Sequence, residues 1–140
     1  MIDGGAVTFV IAVIIVAIFI FFAIVLTGKH GHRFNAEEYQ TKFLSIENKL
    51  SEDNPATFMT TIINADKLLD RALVEMGIPG KTMGDRLKKS DSRFTDINAV
   101  WRVHKLRNML AHESDTEVSY RQAANALEVY KQALKDLGAI

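Results

Sequence analysis

One short segment of the chain, RNMLAHE, sets an arginine, an asparagine and a histidine beside small and apolar residues. Arg107 has the side chain that best makes two parallel hydrogen bonds to a phosphate. His112 has the side chain that titrates near neutral pH and can transfer protons. Such polar groups are costly to bury without partners. The segment therefore indicates either a phosphate-handling site or a pair that holds the helix end to the acidic loop at Glu113 or Asp115.

The composition excludes several classes of chemistry. Acidic and basic residues balance at 17 each, and there is no cysteine, which excludes disulfides, thiolate zinc sites and a cysteine nucleophile. The tripeptide GKT at residues 80–82 is not a P-loop, because Glu75 stands where the first glycine is needed. His30 and His32 lack a third ligand nearby and are typical of a tether. We therefore expect neither a metal nor a cofactor.

The first 27 residues differ sharply from the rest. Residues 6–26 contain no charge and no proline, and Thr8 is their only polar side chain. At about 1.5 Å per residue this stretch spans roughly 30 Å, the hydrocarbon thickness of a bilayer. It is longer than the apolar core of a signal peptide, and no basic residue precedes it. The pattern predicts a transmembrane anchor over residues 1–27 that contacts the lipid bilayer through residues 6–26.

The charges around this stretch predict its orientation. Lys29 and Arg33 follow it, and Asp3 is the only charge before it. Because positive residues stay inside, the N-terminus is expected outside the cell. The linker over residues 28–34 and the domain over residues 35–140 are then expected in the cytoplasm, behind a single-pass anchor.

Residues 35–140 show helical spacing of apolar residues and no alternating strand pattern. Start and stop signals divide them into four main helices and one short helix. The expected starts are Asn35 with Glu38, Asn54 before Pro55, Thr82 with Asp85, Thr95, and Ser119 with Gln122; the expected stops include Gly77 and Gly138. The fold class is therefore all-α: one transmembrane helix and a small cytoplasmic bundle of four to five helices.

The fourth helix of this bundle, DINAVWRVHKLRNMLAH, has two distinct faces. Ala99, Val103, Leu106 and Leu110 form the core stripe on a helical wheel. The nearly opposite face carries Ile97, Trp101, His104, Asn108 and His112. This mixture of aromatic, apolar and uncharged polar groups suits an interface, and Ile97, Trp101 and His104 are its predicted contacts. The alternative is that the helix is central in the bundle and buried all round.

Basic residues concentrate from Lys81 to Arg107. Eight basic and three acidic residues give this segment +8 − 3 = +5. Such a zone attracts phosphates, although a solvated helix face produces the same pattern. The weak RNA-binding candidates are Lys88, Lys89, Arg93, Arg102 and Lys105.

The phrase HKLRNMLAHE, followed by VSYRQAANALEVY, resembles the HEPN superfamily, in particular a group of prokaryotic HEPN-like domains. The resemblance covers residues 36–138. It does not include the apolar stretch, and it implies a homodimer of helical bundles in a prokaryote. With the predicted anchor, the expected location is the plasma membrane. Active members of the superfamily are metal-independent endoribonucleases, whereas many others are non-catalytic binding modules.

The resemblance also implies roles for three residues. Arg107 would contact the scissile phosphate, His112 would transfer protons, and Asn108 would orient the ribose hydroxyls. Arg107 and His112 lie about 140° apart on a regular helix, so they converge only if the helix ends at Ala111 or a second subunit contributes. A tethered ribonuclease would also need a neutralising partner protein. The alternative is a non-catalytic, membrane-anchored interaction or oligomerisation module that binds through Trp101.

Overall fold

The computed structural model describes residues 4–27, 33–113 and 116–140. These described residues form six α-helices, one 3-10 turn and no strand, so the all-α prediction is confirmed for them. The chain divides into two compact units, residues 1–31 and residues 32–140. Most of the predicted linker, including His30 and His32, lies outside the described residues.

The first unit contains α1, Gly4–Thr27. Among the described residues, no helix combines the length and the apolar character needed to cross a membrane. The prediction of a transmembrane anchor over residues 6–26 is corrected accordingly. The predicted cellular location is not tested by the structure.

The second unit is the helical bundle. Its elements are α2 Ala36–Glu47, α3 Ala56–Glu75, α4 Met83–Lys89, a 3-10 turn at Asp91–Arg93, α5 Ile97–His112 and α6 Tyr120–Asp136. Helix α3 packs against α2, α4, α5 and α6 and is therefore the central element. The core between the helices is built from fully buried large side chains: Tyr39, Phe43, Ile62, Leu69, Leu73, Leu87, Tyr130 and Leu134.

Several helix starts agree with the capping pattern of the sequence. The Asn35 side chain accepts a hydrogen bond from the Glu38 N–H at 3.2 Å. Complete capping boxes form between Thr82 and Asp85 and between Ser119 and Gln122. These side chains satisfy backbone donors that a helix start leaves unpaired. The Glu38 carboxylate does not complete a box at Asn35, because it binds Lys42 and Arg71 instead.

Two helix starts lie one residue later than predicted. Helix α3 begins at Ala56 with Pro55 at the capping position, so Asn54 lies outside it. Helix α5 is capped by Asp96, whose carboxylate accepts the Ala99 N–H at 2.9 Å. Thr95 cannot serve as this cap, because its N–H and its hydroxyl both bond the Asp136 carboxylate, at 2.7 and 2.9 Å.

The short helix α4 is fixed to α3 by one buried arginine. Arg86 donates from Nε and Nη2 to the two carboxylate oxygens of Asp70, at 2.8 and 2.9 Å. Its Nη1 donates to the Gly80 carbonyl at 2.6 Å. A Cβ at Gly80 would lie 2.8 Å from the Cβ of Asp85, so the close approach of this turn to α4 requires glycine. These contacts hold α4 beside α3.

Candidate functional site

A groove of about 720 Å³ lies between α3, α4 and α5. Arg107, Asn108 and His112, the three residues predicted to be catalytic, all line it. Helix α5 extends through His112, so it does not end at Ala111. Arg107 and His112 therefore remain about 140° apart around one helix axis. The structure brings the three residues to one groove, but it does not make the arginine and the histidine converge within a single helix.

Beneath the groove lies a buried carboxylate that sequence reasoning did not single out. Asp66 of α3 is 3% exposed. Its Oδ1 accepts from the Tyr130 hydroxyl at 3.0 Å and lies 2.8 Å from Nδ1 of His104. Its Oδ2 lies 3.2 Å from Nε of Arg107. A buried carboxylate is stable only with such partners, so α3, α5 and α6 meet at this group.

The polar side chains of α5 complete a ring of contacts with Asp66. Nε2 of His104 lies 3.3 Å from Nδ2 of Asn108. Nη1 of Arg107 donates to Oδ1 of Asn108 at 3.0 Å. The ring therefore runs from Asp66 through His104, Asn108 and Arg107 and back to Asp66. Three of its four contacts are hydrogen bonds, and the fourth is the ion pair between Arg107 and Asp66.

The side-chain chemistry determines which atom donates and which accepts in each contact of this ring. The Asp66 carboxylate accepts, so His104 carries its hydrogen on Nδ1. A neutral imidazole then leaves Nε2 as an acceptor for the Asn108 amide N–H, while the Asn108 carbonyl oxygen accepts from Arg107. A hydrogen on both ring nitrogens would set two donors against each other at Asn108. The contacts therefore favour a neutral His104.

Arg107 is only partly engaged by these contacts. Its Nε is buried and makes no aligned hydrogen bond within the described part of the chain, although it lies at ion-pair distance from Asp66. The side chain as a whole is 24% exposed. Asp66 thus holds the inner edge of the guanidinium, and its outer part faces the groove that it lines.

Tyr130 is the buried tyrosine of the same cluster, and its phenol donates to Asp66. Burial raises the pKa of the Tyr130 phenol above its ordinary value, and the Asp66 charge and hydrogen bond raise the pKa further. The phenol therefore remains a donor to Asp66, because a phenolate beside a buried carboxylate would be strongly disfavoured.

Lysines surround the groove. Four of them line it and have no ion-pair partner within the described ranges: Lys67, Lys81, Lys88 and Lys105. The acids of the groove are already occupied, since Asp66 and Asp70 have the partners described above and Asp85 caps α4. Hydrogen bonds from the backbone and side chain of Thr82 lower the pKa of Asp85. The groove therefore has an excess of positive charge, which attracts anions.

The predicted RNA-binding residues divide between this groove and other surfaces. Lys88 and Lys105 line the groove, whereas Lys89, Arg93 and Arg102 do not. Arg102 lies 3.8 Å from Asp96, on an exposed part of α5. Lys67 was missed, because it belongs to α3, outside the basic segment of the sequence. Its only sequence signal was its place beside the apolar stripe of α3.

The predicted interface residues are used within the bundle. His104 is 8% exposed and belongs to the ring described above. Trp101 and Ile97 are half-buried and pack against the core. The Trp101 indole lies edge-on to the His104 ring, with centroids 5.9 Å apart. No second copy of the chain is present, so an interface through these residues stays a prediction.

No group of three or more His, Asp or Glu residues within 4–27, 33–113 and 116–140 is arranged to hold a metal ion. Comparisons with protein-family models, with curated proteins and with solved structures find no match. Membership of the HEPN superfamily therefore stays a prediction.

Proposed function

We propose that the chain is a HEPN-like, metal-independent endoribonuclease whose groove binds RNA. One observation carries the proposal: Arg107, Asn108 and His112 line the same groove as four lysines that lack acidic partners among the described residues. Phosphate contacts from lysine and arginine supply most of the affinity of a protein for nucleic acid. The lysines beside an arginine and an exposed histidine support this proposal.

The proposed reaction is a transesterification at phosphorus. The ribose 2′-oxygen attacks the phosphorus and loses its proton to a general base. The bond from phosphorus to the 5′-oxygen breaks, and that oxygen receives a proton from a general acid. The products are a 2′,3′-cyclic phosphate and a 5′-hydroxyl. Arg107 neutralises the charge that grows on the phosphate oxygens, and His112 carries one of the two proton transfers.

Two proton transfers need two groups. Among the described residues the histidines are His104 and His112. Both ring nitrogens of His104 are engaged, by Asp66 and Asn108, so one groove offers His112 as its single free histidine among the described residues. We therefore propose that the active form is a homodimer in which two copies of His112 act on one phosphate. Cleavage per mole of protein is expected to rise with protein concentration, in parallel with dimer formation measured by light scattering.

The test is cleavage of mixed structured and single-stranded RNA by the purified full-length chain in EDTA. His112→Ala is the primary variant, because His112 is exposed and its removal leaves the ring of contacts intact. We expect a loss of about 10²- to 10⁴-fold in rate, the usual contribution of a general acid or base. Arg107→Lys retains a charge for Asp66 but cannot make the two-point phosphate contact, so it is also expected to be slow.

Arg121→Ala is the matched control, since Arg121 is exposed on α6 and does not line the groove. It should cleave like the wild-type chain. Cleavage that survives His112→Ala in a folded protein would contradict the proposal. End analysis provides a second check, because products that lack a cyclic phosphate would require a different reaction.

A second candidate function is a non-catalytic interaction module. It is favoured by the internal engagement of Arg107 and Asn108, whose contacts with Asp66 and His104 already give them a structural role. In that case His112→Ala would change nothing measurable, and the folded wild-type chain would bind a partner without cleaving RNA. A protein that neutralises the ribonuclease belongs to the first proposal, and its binding would cover the groove.

A further inference from the structure

Trp101 lies on the wall of the groove that the lysines surround. The six-membered end of its indole sits over α4, where a Cβ at Gly84 would meet Cη2 at 3.5 Å and Cζ3 at 3.7 Å. The six-membered edge of the indole therefore packs directly against α4 at Gly84. Because residue 84 is a glycine, it adds no side chain to cover the ring.

Two lysines flank this indole by helical spacing. Lys105 follows Trp101 by four residues on α5, and Lys88 follows Gly84 by four residues on α4. Residues four apart lie on the same face of a helix. Both lysines line the groove with Trp101. Neither lysine has an acidic partner in the described ranges. The aromatic ring could therefore stack on a nucleobase while the two lysines bind the neighbouring phosphates.

The indole N–H supports the same use. Trp101 is half-buried, and its N–H has no hydrogen-bond partner in the part of the chain that the structure describes. The indole nitrogen is also not fully buried, so solvent reaches it. A Trp N–H that is neither paired nor buried is available to a ligand.

We infer that Trp101 is a stacking platform for one nucleobase of single-stranded RNA. This inference rests on the proposed function and defines its substrate class. Trp101 and His112 lie about 16 Å apart along the helix axis, so the stacked base belongs to a nucleotide a short way along the strand from the cleaved phosphate. Bases in a duplex are stacked on one another and cannot reach such a ring. Single strands and loops can, and base stacking on aromatic side chains tolerates any sequence.

The chain contains one tryptophan, so its intrinsic fluorescence reports on this position alone. The experiment uses the full-length His112→Ala protein, to prevent cleavage. Three probes are added in turn: a short single-stranded oligoadenylate, an RNA duplex that pairs the same strand, and inorganic polyphosphate as an anion without bases. Binding is followed independently by anisotropy of labelled probes or by competition. We expect quenching by the single strand, and binding without quenching by polyphosphate.

Two substitutions sharpen the test. Trp101→Phe keeps an aromatic ring, and Trp101→Leu keeps apolar bulk without a ring. Stacking on an aromatic side chain changes affinity by roughly 5- to 150-fold. Trp101→Leu is therefore expected to weaken single-strand binding within that range and to leave polyphosphate binding unchanged, with Trp101→Phe intermediate. Circular dichroism confirms that both variants are folded.

The outcomes separate this inference from the proposed function. Single-stranded RNA that binds and is cleaved in the wild-type chain without quenching Trp101 would overturn the platform and leave the ribonuclease standing. Quenching by the single strand in a chain that never cleaves RNA would support the platform and contradict the ribonuclease. Failure of RNA to bind would overturn both. Emission that changes with protein concentration alone would place the indole between two copies and overturn the platform.

Discussion

Nδ1 of His104 lies 2.8 Å from Oδ1 of Asp66, and this contact joins α5 to α3 inside the bundle. Both side chains are buried, at 8% and 3% exposure. The same carboxylate binds Tyr130 of α6 and faces Nε of Arg107. One acid thus supports three side chains, and one of them is the arginine of the proposed active site. In the proposed reaction Asp66 positions Arg107 and does not itself contact the RNA.

Asp66→Ala is expected to destabilise the bundle by about 3–5 kcal/mol, because it leaves Arg107 as a largely buried cation without its partner. The measurement is urea unfolding followed by circular dichroism. Tyr130→Phe removes only one hydrogen bond to the same acid and should cost about 1 kcal/mol.

The double variant Asp66→Ala/Tyr130→Phe tests whether the two groups act together. Once Asp66 is absent, loss of the Tyr130 hydroxyl should have almost no further effect on the free energy of unfolding. Full additivity of the two losses would contradict the contact between them.

Alkaline pH is expected to destabilise the bundle through two buried tyrosines. Burial, followed by the hydrogen bond to Glu75, raises the pKa of Tyr39; burial and Asp66 raise the pKa of Tyr130. An unfolded tyrosine loses its proton near pH 10 while the folded one keeps it. The unfolded state then binds fewer protons than the native state, so stability is full below about pH 10 and falls as pH rises above it.

Thermal unfolding measured across alkaline pH checks this expectation. Tyr130→Phe removes one of the two groups, so its stability should decline less steeply with pH than that of the wild-type chain. An ultraviolet titration of phenolate absorbance provides the second measurement. Tyr39 and Tyr130 should lose their protons only when the protein unfolds. A stability curve that is flat or rises above pH 10 would contradict the raised pKa values.

Lys67 is expected to contribute to RNA binding through a phosphate. Lys67→Gln should weaken binding of single-stranded RNA and reduce the slope of log K against log salt by about 0.7 for one lost contact. Lys49→Gln is a matched control, because Lys49 is exposed but does not line the groove. Equal slopes for the two variants would place the bound strand away from α3.

The start of α5 offers a test of local structure. Asp96→Ala removes the cap and is expected to cost about 1 kcal/mol. Thr95→Ala retains the bond from its N–H to Asp136 and loses only an exposed hydroxyl contact, so its effect should lie within about 0.5 kcal/mol. Chemical unfolding of the two variants distinguishes them, and a larger loss for Thr95→Ala would show that threonine is the cap.

The bundle helices could be predicted because their signals are local. Ser119 with Gln122 and Thr82 with Asp85 are three residues apart, and each pair satisfies donors of its own helix. The cap of α5 was misplaced for a non-local reason: the partner that engages Thr95 is Asp136, at the end of the last helix. A pattern of neighbouring residues carries no information about that contact.

The contacts inside the site could not be predicted either, because they join residues that are far apart in the sequence. The sequence around Asp66 does not mark it, since its partners His104 and Tyr130 lie on other helices. The helical wheel put His104 on a face opposite the core stripe, which suggested an interface. In the bundle α3 and α4 pack beside that face, so His104 is buried by elements that the wheel of one helix does not contain.

The ring through Asp66, His104, Asn108 and Arg107 constrains how these four residues can change during evolution. Each member donates or accepts in a fixed sense, so Asn108→Asp would remove the donor to His104 although it keeps the shape of the side chain. An exchange of donor for acceptor at one position therefore changes what its neighbours in the ring must donate or accept. Homologous chains that share this bundle should therefore vary at these four positions together, and a chain that has lost one of them should have replaced its neighbours.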